Sequence, residues 1–249
     1  STGAYRGVGW SAGCYAREMV LTKAAKLLGL DITDVYLKNL IKKDQFPYKT
    51  ATNQVYDSGD YHKVLQKCLD LSDYNEFKKK PKNIVNGKLQ GIGCSFFVEQ
   101  TNWGSQSAEE SGFDATLHDT TTVEMDPSGK VTVRSGQFSH GQGHKTTLAQ
   151  VAAETLGVPF EDVVVTDGDT ETGVYGMGTF ASRSAVIGGG AVIRAATDVR
   201  EKIIKIAAHV MEANPTDLAI EEGEVFVKGS RSHSVSVAEI AYITHFDRN

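Results

Sequence analysis

The chain has 249 residues, 40% of them hydrophobic and 23% charged, and carries a net charge of −5. That is enough apolar content to bury a core in one large domain or two smaller ones. The charge is mild and spread along the chain, so nothing electrostatic argues for nucleic acid or an anionic membrane, and no apolar run approaches a membrane span.

Residues 1–6, Ser-Thr-Gly-Ala-Tyr-Arg, do not resemble a signal peptide. The sequence starts without methionine, which points to processing, an experimental boundary or a piece of something longer. Apolar residues at helical spacing, Met19, Val20, Ala24, Leu27 and Leu28, predict a first helix over residues 16–28, stopped by Gly29. Asp31 or Thr33 can cap a second helix reaching Ile41, and Asp60 a third with Val64, Leu65, Cys68 and Leu69 on its inner face. Residues 73–87 read as an exposed connection, with Lys78, Lys79, Lys80 and Lys82 as a solvated linker beside Pro81. Cys14, Cys68 and Cys94 are odd in number and lack CxxC pairing, which suits a reducing compartment and a cytoplasmic location.

Further on, the pattern changes to strands: residues 89–98, then 120–125 and 130–133 as a hairpin around Asp126-Pro127-Ser128-Gly129. Residues 101–114 read as a loop long enough to suspect of function. A helix over residues 145–156 ends at Gly157 and Pro159, and Val163-Val164-Val165 reads as a buried strand. The longest helix is predicted over residues 190–213, with an apolar stripe from Val192 and Ala196 to Met211. A hairpin over residues 218–227 precedes Ser236-Val237-Ala238-Glu239, whose capping-box spacing predicts a terminal helix. Segregated helices and antiparallel hairpins argue for an α+β fold.

Three segments are richer in glycine and polar residues than turns require. In Gly3-Ala4-Tyr5-Arg6-Gly7-Val8-Gly9, glycines flanking Arg6 let the backbone approach a ligand while the guanidinium offers planar donors; the same residues also suit a frayed terminus. Ser139-His140-Gly141-Gln142-Gly143-His144-Lys145 runs from a strand into a helix whose first amides favour an anionic group. Lys145 is wrongly spaced for either standard phosphate loop, so a plain connecting loop is the competing reading. Thr179-Phe180-Ala181-Ser182-Arg183-Ser184, followed by Gly188-Gly189-Gly190, makes a second anion cradle, unless those glycines only permit close packing. Asp167 and Asp169 suit turn capping better than cation binding. His140 and His144 are four apart, but Gly-Gln-Gly interrupts any helix that would let both hold a metal, so no metal ligands are assigned. Neither a Gly-x-Ser-x-Gly elbow nor HExxH is present, which leaves hydrolase chemistry unsupported.

In this order, Gly-Ala-Tyr-Arg-Gly-Val-Gly, His-Gly-Gln-Gly-His with Gln150, Gly-Asp-Thr and Gly-Thr-Phe-Ala-Ser-Arg-Ser resemble the large subunit of molybdenum hydroxylases. That is the family of xanthine dehydrogenase, aldehyde oxidase and carbon-monoxide-dehydrogenase-like proteins. Phe46-Pro47-Tyr48 and Tyr56-Asp57-Ser58-Gly59-Asp60-Tyr61 add to the resemblance, which covers essentially the whole chain. It implies an α+β cofactor-binding fold of mixed, mostly antiparallel strands with packed helices. Residues 1–86 would form its helical first part and residues 87–249 the remainder.

The resemblance further implies a molybdenum-bearing molybdopterin, in bacterial members often a cytosine dinucleotide. Tyr5, Gly7, Gly141, Gln142, Gly143, His144 and Thr179, Phe180, Ala181, Ser182, Arg183, Ser184 would hold it. Gln142 would lie beside the metal's oxo group, Arg6 near the metal to orient substrate or stabilise developing charge, and Val8 near the substrate. Glu99 and Trp103 follow the stretch near the substrate funnel, although Trp103 suits ordinary core equally. The implied reaction is hydroxylation of a small molecule, an aldehyde or N-heterocycle, with water-derived oxygen; Gly7 stands where copper-containing relatives carry a cysteine, which disfavours carbon monoxide. The family's general-base glutamate sits in a Gly-x-Gly-Glu loop, a four-residue motif absent here and expected beyond Asn249, as an earlier cofactor loop is expected before Ser1. Partners would be those remaining segments, an iron–sulfur subunit and, in some relatives, an FAD subunit. Three cysteines are too few for such clusters here. The alternative is a non-catalytic fragment or phosphate- or nucleotide-binding module.

Overall fold

The structure is a computed structural model that describes residues 5–80, 84–110 and 112–246. Gly3, Ala4, Pro81, Lys82 and Asn249 lie outside the described residues. The chain divides into two compact units, Ser1–Glu99 and Gln100–Asn249.

The first unit contains helices α1 (Trp10–Leu27), α2 (Ile32–Asn39), α3 (Tyr61–Leu71) and α4 (Tyr74–Lys79), with two-residue strand pairs β1 (Tyr48–Lys49) with β2 (Val55–Tyr56) and β3 (Ile84–Val85) with β4 (Lys88–Leu89). Its core is Tyr36, Leu65, Leu69 and Tyr74, against which Leu21, Ile92, Cys94 and Phe96 pack. Those last three explain why residues 89–98 do not form the expected strand. Their alternation docks every second side chain of an extended segment onto helices, with no neighbouring ladder beyond β4. The expected inner face of α1 is likewise outward: Met19 is 54% and Leu27 79% exposed, while Ala25 is buried. On α3, Leu65 and Leu69 are buried as expected but Val64 and Cys68 are exposed. Lys78 and Lys79 end a helix instead of a linker, and Lys78 pairs with Asp31 at 2.9 Å.

Asp31 ties this unit together. As N-cap of α2 it accepts from the Thr33 amide at 3.0 Å and hydroxyl at 2.9 Å, and from the Tyr74 hydroxyl at 3.0 Å. Burial alone would raise its pKa, but these donors and Lys78 outweigh it and bring it down to about 2. Because the folded pKa is depressed, Asp31 contributes stability above the ordinary aspartate value of 3.8, lost as pH falls through about 2. Asp31→Ala is expected to cost about 1–2 kcal/mol at neutral pH, as for other lost N-caps. Urea midpoints of variant and wild type should converge as pH approaches about 2, and a gap that stays constant would refute the linkage.

The second unit holds α5 (Ser105–Glu110), β5 (Thr121–Met125), β6 (Val131–Ser135), α6 (His144–Leu156), β7 (Val163–Thr166), α7 (Gly189–Val210), β8 (Leu218–Glu221), β9 (Glu224–Val227), β10 (Ser230–Ser236) and α8 (Val237–Phe246). β5 and β6 form the expected hairpin, and Asp126 closes its turn by accepting from the Ser128 amide at 2.8 Å. β6 and β7 are parallel, Val131 opposite Val163 through Arg134 opposite Thr166. A parallel pair cannot be joined by a tight turn, and α6 makes the crossover.

The core lies between this sheet, α6 and α7: Val131, Val133, Val165, Leu148, Ala152, Leu156, Val192, Ala196 and Ile203 are all buried. The stripe foreseen on α7 is the buried face. Residues Ser184–Gly188 form a π-helical turn leading into it. β8, β9 and β10 make an antiparallel sheet, the third strand unforeseen, and Ser236 caps α8 by accepting from the Glu239 amide at 3.1 Å. The foreseen loop over residues 101–114 contains α5. Among the described residues, no helix is long and apolar enough to cross a membrane. Together the elements give an α+β fold.

Candidate cofactor-binding site

Parallel pairing puts the ends of β6 and β7 at the same edge, so the loop entering α6 meets the loop leaving β7. Asp167 sits where they meet. Its carboxylate, 5% exposed, accepts from the Ser139 amide at 3.0 Å and lies 3.4 Å from the Lys145 ammonium. Asp169 caps its own turn by accepting from the Glu171 amide at 2.8 Å and the Thr172 hydroxyl at 3.0 Å.

Between these anchors, Gly141, Gln142 and Gly143 form an exposed bend. Gly141 and Gly143 have φ of +115° and +80°, and a side chain on either would meet nothing within 4 Å. A larger residue would resist the backbone angle, while the space above is open to a ligand. Gln142 accepts from the His140 amide at 2.8 Å through Oε1, so its Nε2 is left as a donor. Gly143 is the N-cap of α6 and carries no capping side chain, so the first amides of the helix lack that usual acceptor. His144, the first residue of α6, is only 7% exposed, yet its buried Nδ1 has no partner among the described residues. Burial holds the imidazole below the ordinary histidine range, nearby Asp167 opposes this, and His140 adds to it.

The second loop is held from inside. Arg183 is fully buried, and its guanidinium pairs with Asp119 at 2.9 Å. It also donates to the carbonyls of Gly178 and Leu117, each at 2.8 Å, and of Trp103 at 3.3 Å. The arginine foreseen as a phosphate ligand therefore faces inward and shapes the loop. Asp119 also accepts from the Met177 amide at 3.0 Å and from Nε2 of Gln137. Gly136 and Gly176 cross so closely that a Cβ on either would strike the other segment's backbone.

On this frame Ala181 and Ser182 are consecutive left-handed residues, φ +50° and +53°. Such a conformation costs a non-glycine residue about 1–2 kcal/mol, and pairs of this kind concentrate at ligand-binding loops. The Asn102 amide holds the loop by donating to the Ser182 carbonyl at 3.3 Å. Phe180 is half exposed and meets the Trp103 ring edge-on at 6.1 Å between centroids, and Trp103 also packs on Phe113. Of Gly188, Gly189 and Gly190, only Gly188 is needed for packing: a Cβ there would press on the Gln137 side chain.

Tyr5, Arg6 and Gly7 belong to the first unit, where Tyr5 and Arg6 are exposed on a turn closed by the Val8 amide donating to the Tyr5 carbonyl at 2.6 Å. Nothing in the sequence marks Gln137 or Asp119 as site residues. Each lies beside a strand end with no motif around it, and only folding makes them neighbours.

These residues fit a phosphate-bearing organic cofactor. The bend and the α6 terminus offer donors, open space and an unpaired buried nitrogen, whereas the nearby carboxylates are already engaged. The chain belongs to the molybdopterin cofactor-binding domain family, whose model matches residues 67–249, and its cofactor is accordingly of the molybdenum type. It is 38% identical to the nicotine 6-hydroxylase large subunit of Paenarthrobacter nicotinovorans over 246 residues, covering 98% of this chain and 30% of that protein. It is also 38% identical to the carbon monoxide dehydrogenase large chain of Hydrogenophaga pseudoflava, covering 92% of this chain and 29% of that one. Its fold matches quinoline 2-oxidoreductase from Pseudomonas putida 86 with a TM-score of 0.87 at 38% identity, over 98% of this chain and 31% of that one. The chain thus spans about a third of these relatives' length.

Proposed function

We propose that this chain is part of the large subunit of a molybdenum hydroxylase, acting with other subunits to oxidise an N-heterocycle or aldehyde with water-derived oxygen. The observation that carries the reading is the start of α6, which lacks a capping side chain and follows the Gly141-Gln142-Gly143 bend, with the Nδ1 of buried His144 unpaired among the described residues. Amides and Gly141 and Gly143 would receive the phosphate-bearing part of the cofactor, and the free Nε2 of Gln142 would donate to an oxygen on the metal. The loop from Thr179 to Ser184 would complete the cradle of the second unit; in the first unit the resemblance assigns Tyr5 and Gly7 to the cofactor and Arg6 to orienting substrate or stabilising developing negative charge. When bound, the cofactor supplies the redox chemistry; the protein supplies position and electrostatics.

An N-heterocycle is favoured because two of the relatives are named for nicotine and quinoline. Gly7 after Arg6 argues against the copper-dependent reaction on carbon monoxide. A cytosine dinucleotide form, a cytoplasmic location and iron–sulfur and FAD partner subunits complete the proposal. The test is elemental mass spectrometry of the subunit purified after co-expression with its remaining segments and partners. Near-stoichiometric molybdenum is expected; after two phosphorus atoms are subtracted for each FAD present, two per metal remain for the dinucleotide and one for the bare pterin. A metal-free complex would leave a non-catalytic module and overturn the reading.

A further inference from the structure

We infer that Gln137 is the positioning residue of the second loop, and that it turns the hydroxyl protons of Thr179 and Ser184 away from the ligand. Gln137 is 1% exposed. Its Nε2 donates to Asp119 and, at 3.4 Å, to the Gly178 carbonyl. A carboxylate paired with Arg183 accepts and does not donate, so the amide is locked with Oε1 toward the loop. There Oε1 accepts from the Ser184 hydroxyl at 2.6 Å and lies 3.0 Å from the Thr179 hydroxyl, which has a second protein acceptor in the Phe138 carbonyl at 2.8 Å.

Each hydroxyl has one proton, and both are directed to protein acceptors. Phosphate oxygens need donors, so neither Thr179 nor Ser184 meets the phosphate through its hydroxyl proton. That task falls to backbone amides and to Ser182, which is exposed, left-handed and without a protein partner for its hydroxyl among the described residues. Two residues of the motif thus act as supports, and a buried glutamine outside the motif sets their orientation.

This inference rests on the cofactor reading, and a double-mutant cycle on the holo-complex separates the two. The quantity measured is the rate at which molybdenum is lost on dialysis. Gln137→Met and Ser184→Ala should each speed loss by about fivefold, the effect of roughly one hydrogen bond. The double variant should be no faster than about twofold beyond Gln137→Met alone, because the serine acts through the glutamine. Multiplicative losses would mean that Ser184 touches the ligand directly and would overturn the inference alone. Should Gln137→Met fail to fold, Ser182→Ala against Ser184→Ala decides, since Ser182→Ala must speed loss more; the reverse order overturns the inference. A wild-type complex without molybdenum overturns both readings.

Discussion

Asp119→Ala is expected to lower the unfolding free energy by about 3–5 kcal/mol, the usual consequence of leaving one partner of a buried ion pair without its counter-charge. Both side chains are inaccessible, Arg183 at 0% and Asp119 at 1% exposed. Arg183 would keep three carbonyl acceptors, but none neutralises its charge. The Met177 amide would also lose this acceptor, and the Gln137 amide would keep only the Gly178 carbonyl at 3.4 Å. Against a typical total of about 5–15 kcal/mol, this is a large share. Removing both charges in Asp119→Asn with Arg183→Met should recover much of the loss, because a buried pair replaced as a pair is often near neutral. Urea midpoints of the two variants test this, and an Asp119→Ala protein within about 1 kcal/mol of wild type would refute the burial argument.

Gln142→Ala is expected to reduce turnover per bound molybdenum by about 100-fold or more, in line with loss of one preorganised donor facing developing charge. The residue is exposed, and among the described residues its side chain bonds only the His140 amide, at 2.8 Å. Stability should therefore change little while chemistry changes much. Gln142→Glu sharpens the test, since it keeps the acceptor toward His140 and replaces the outward donor with an acceptor. Activity must be normalised to metal content, so that weaker cofactor retention is not mistaken for slower chemistry. Turnover per molybdenum within about twofold of wild type in both variants would remove Gln142 from the proposed mechanism.

Periodicity and turn chemistry are local, and so the sequence by itself determined most helices and the hairpins of the second unit. Asp31, Asp60 and Ser236 cap where their side chains allow, and the apolar stripe of α7 is buried because a repeat near four residues can face only one side of a helix. The ordered glycine-rich segments were enough to suggest the family, because each keeps its residues contiguous.

What the sequence did not show depends on what lies opposite. The alternation over residues 89–98 predicted a strand, but helices receive it, and the apolar stripe of α1 has no cover in its unit. Arg183 read as an anion ligand because a motif states residue types and not directions; only the fold sets Asp119 and three carbonyls around it. Gln137 was invisible for the same reason. Its partners at positions 119, 178, 179 and 184 are far away in sequence. They meet because parallel pairing of β6 and β7 and the crossing at Gly136 and Gly176 bring distant segments within hydrogen-bonding reach.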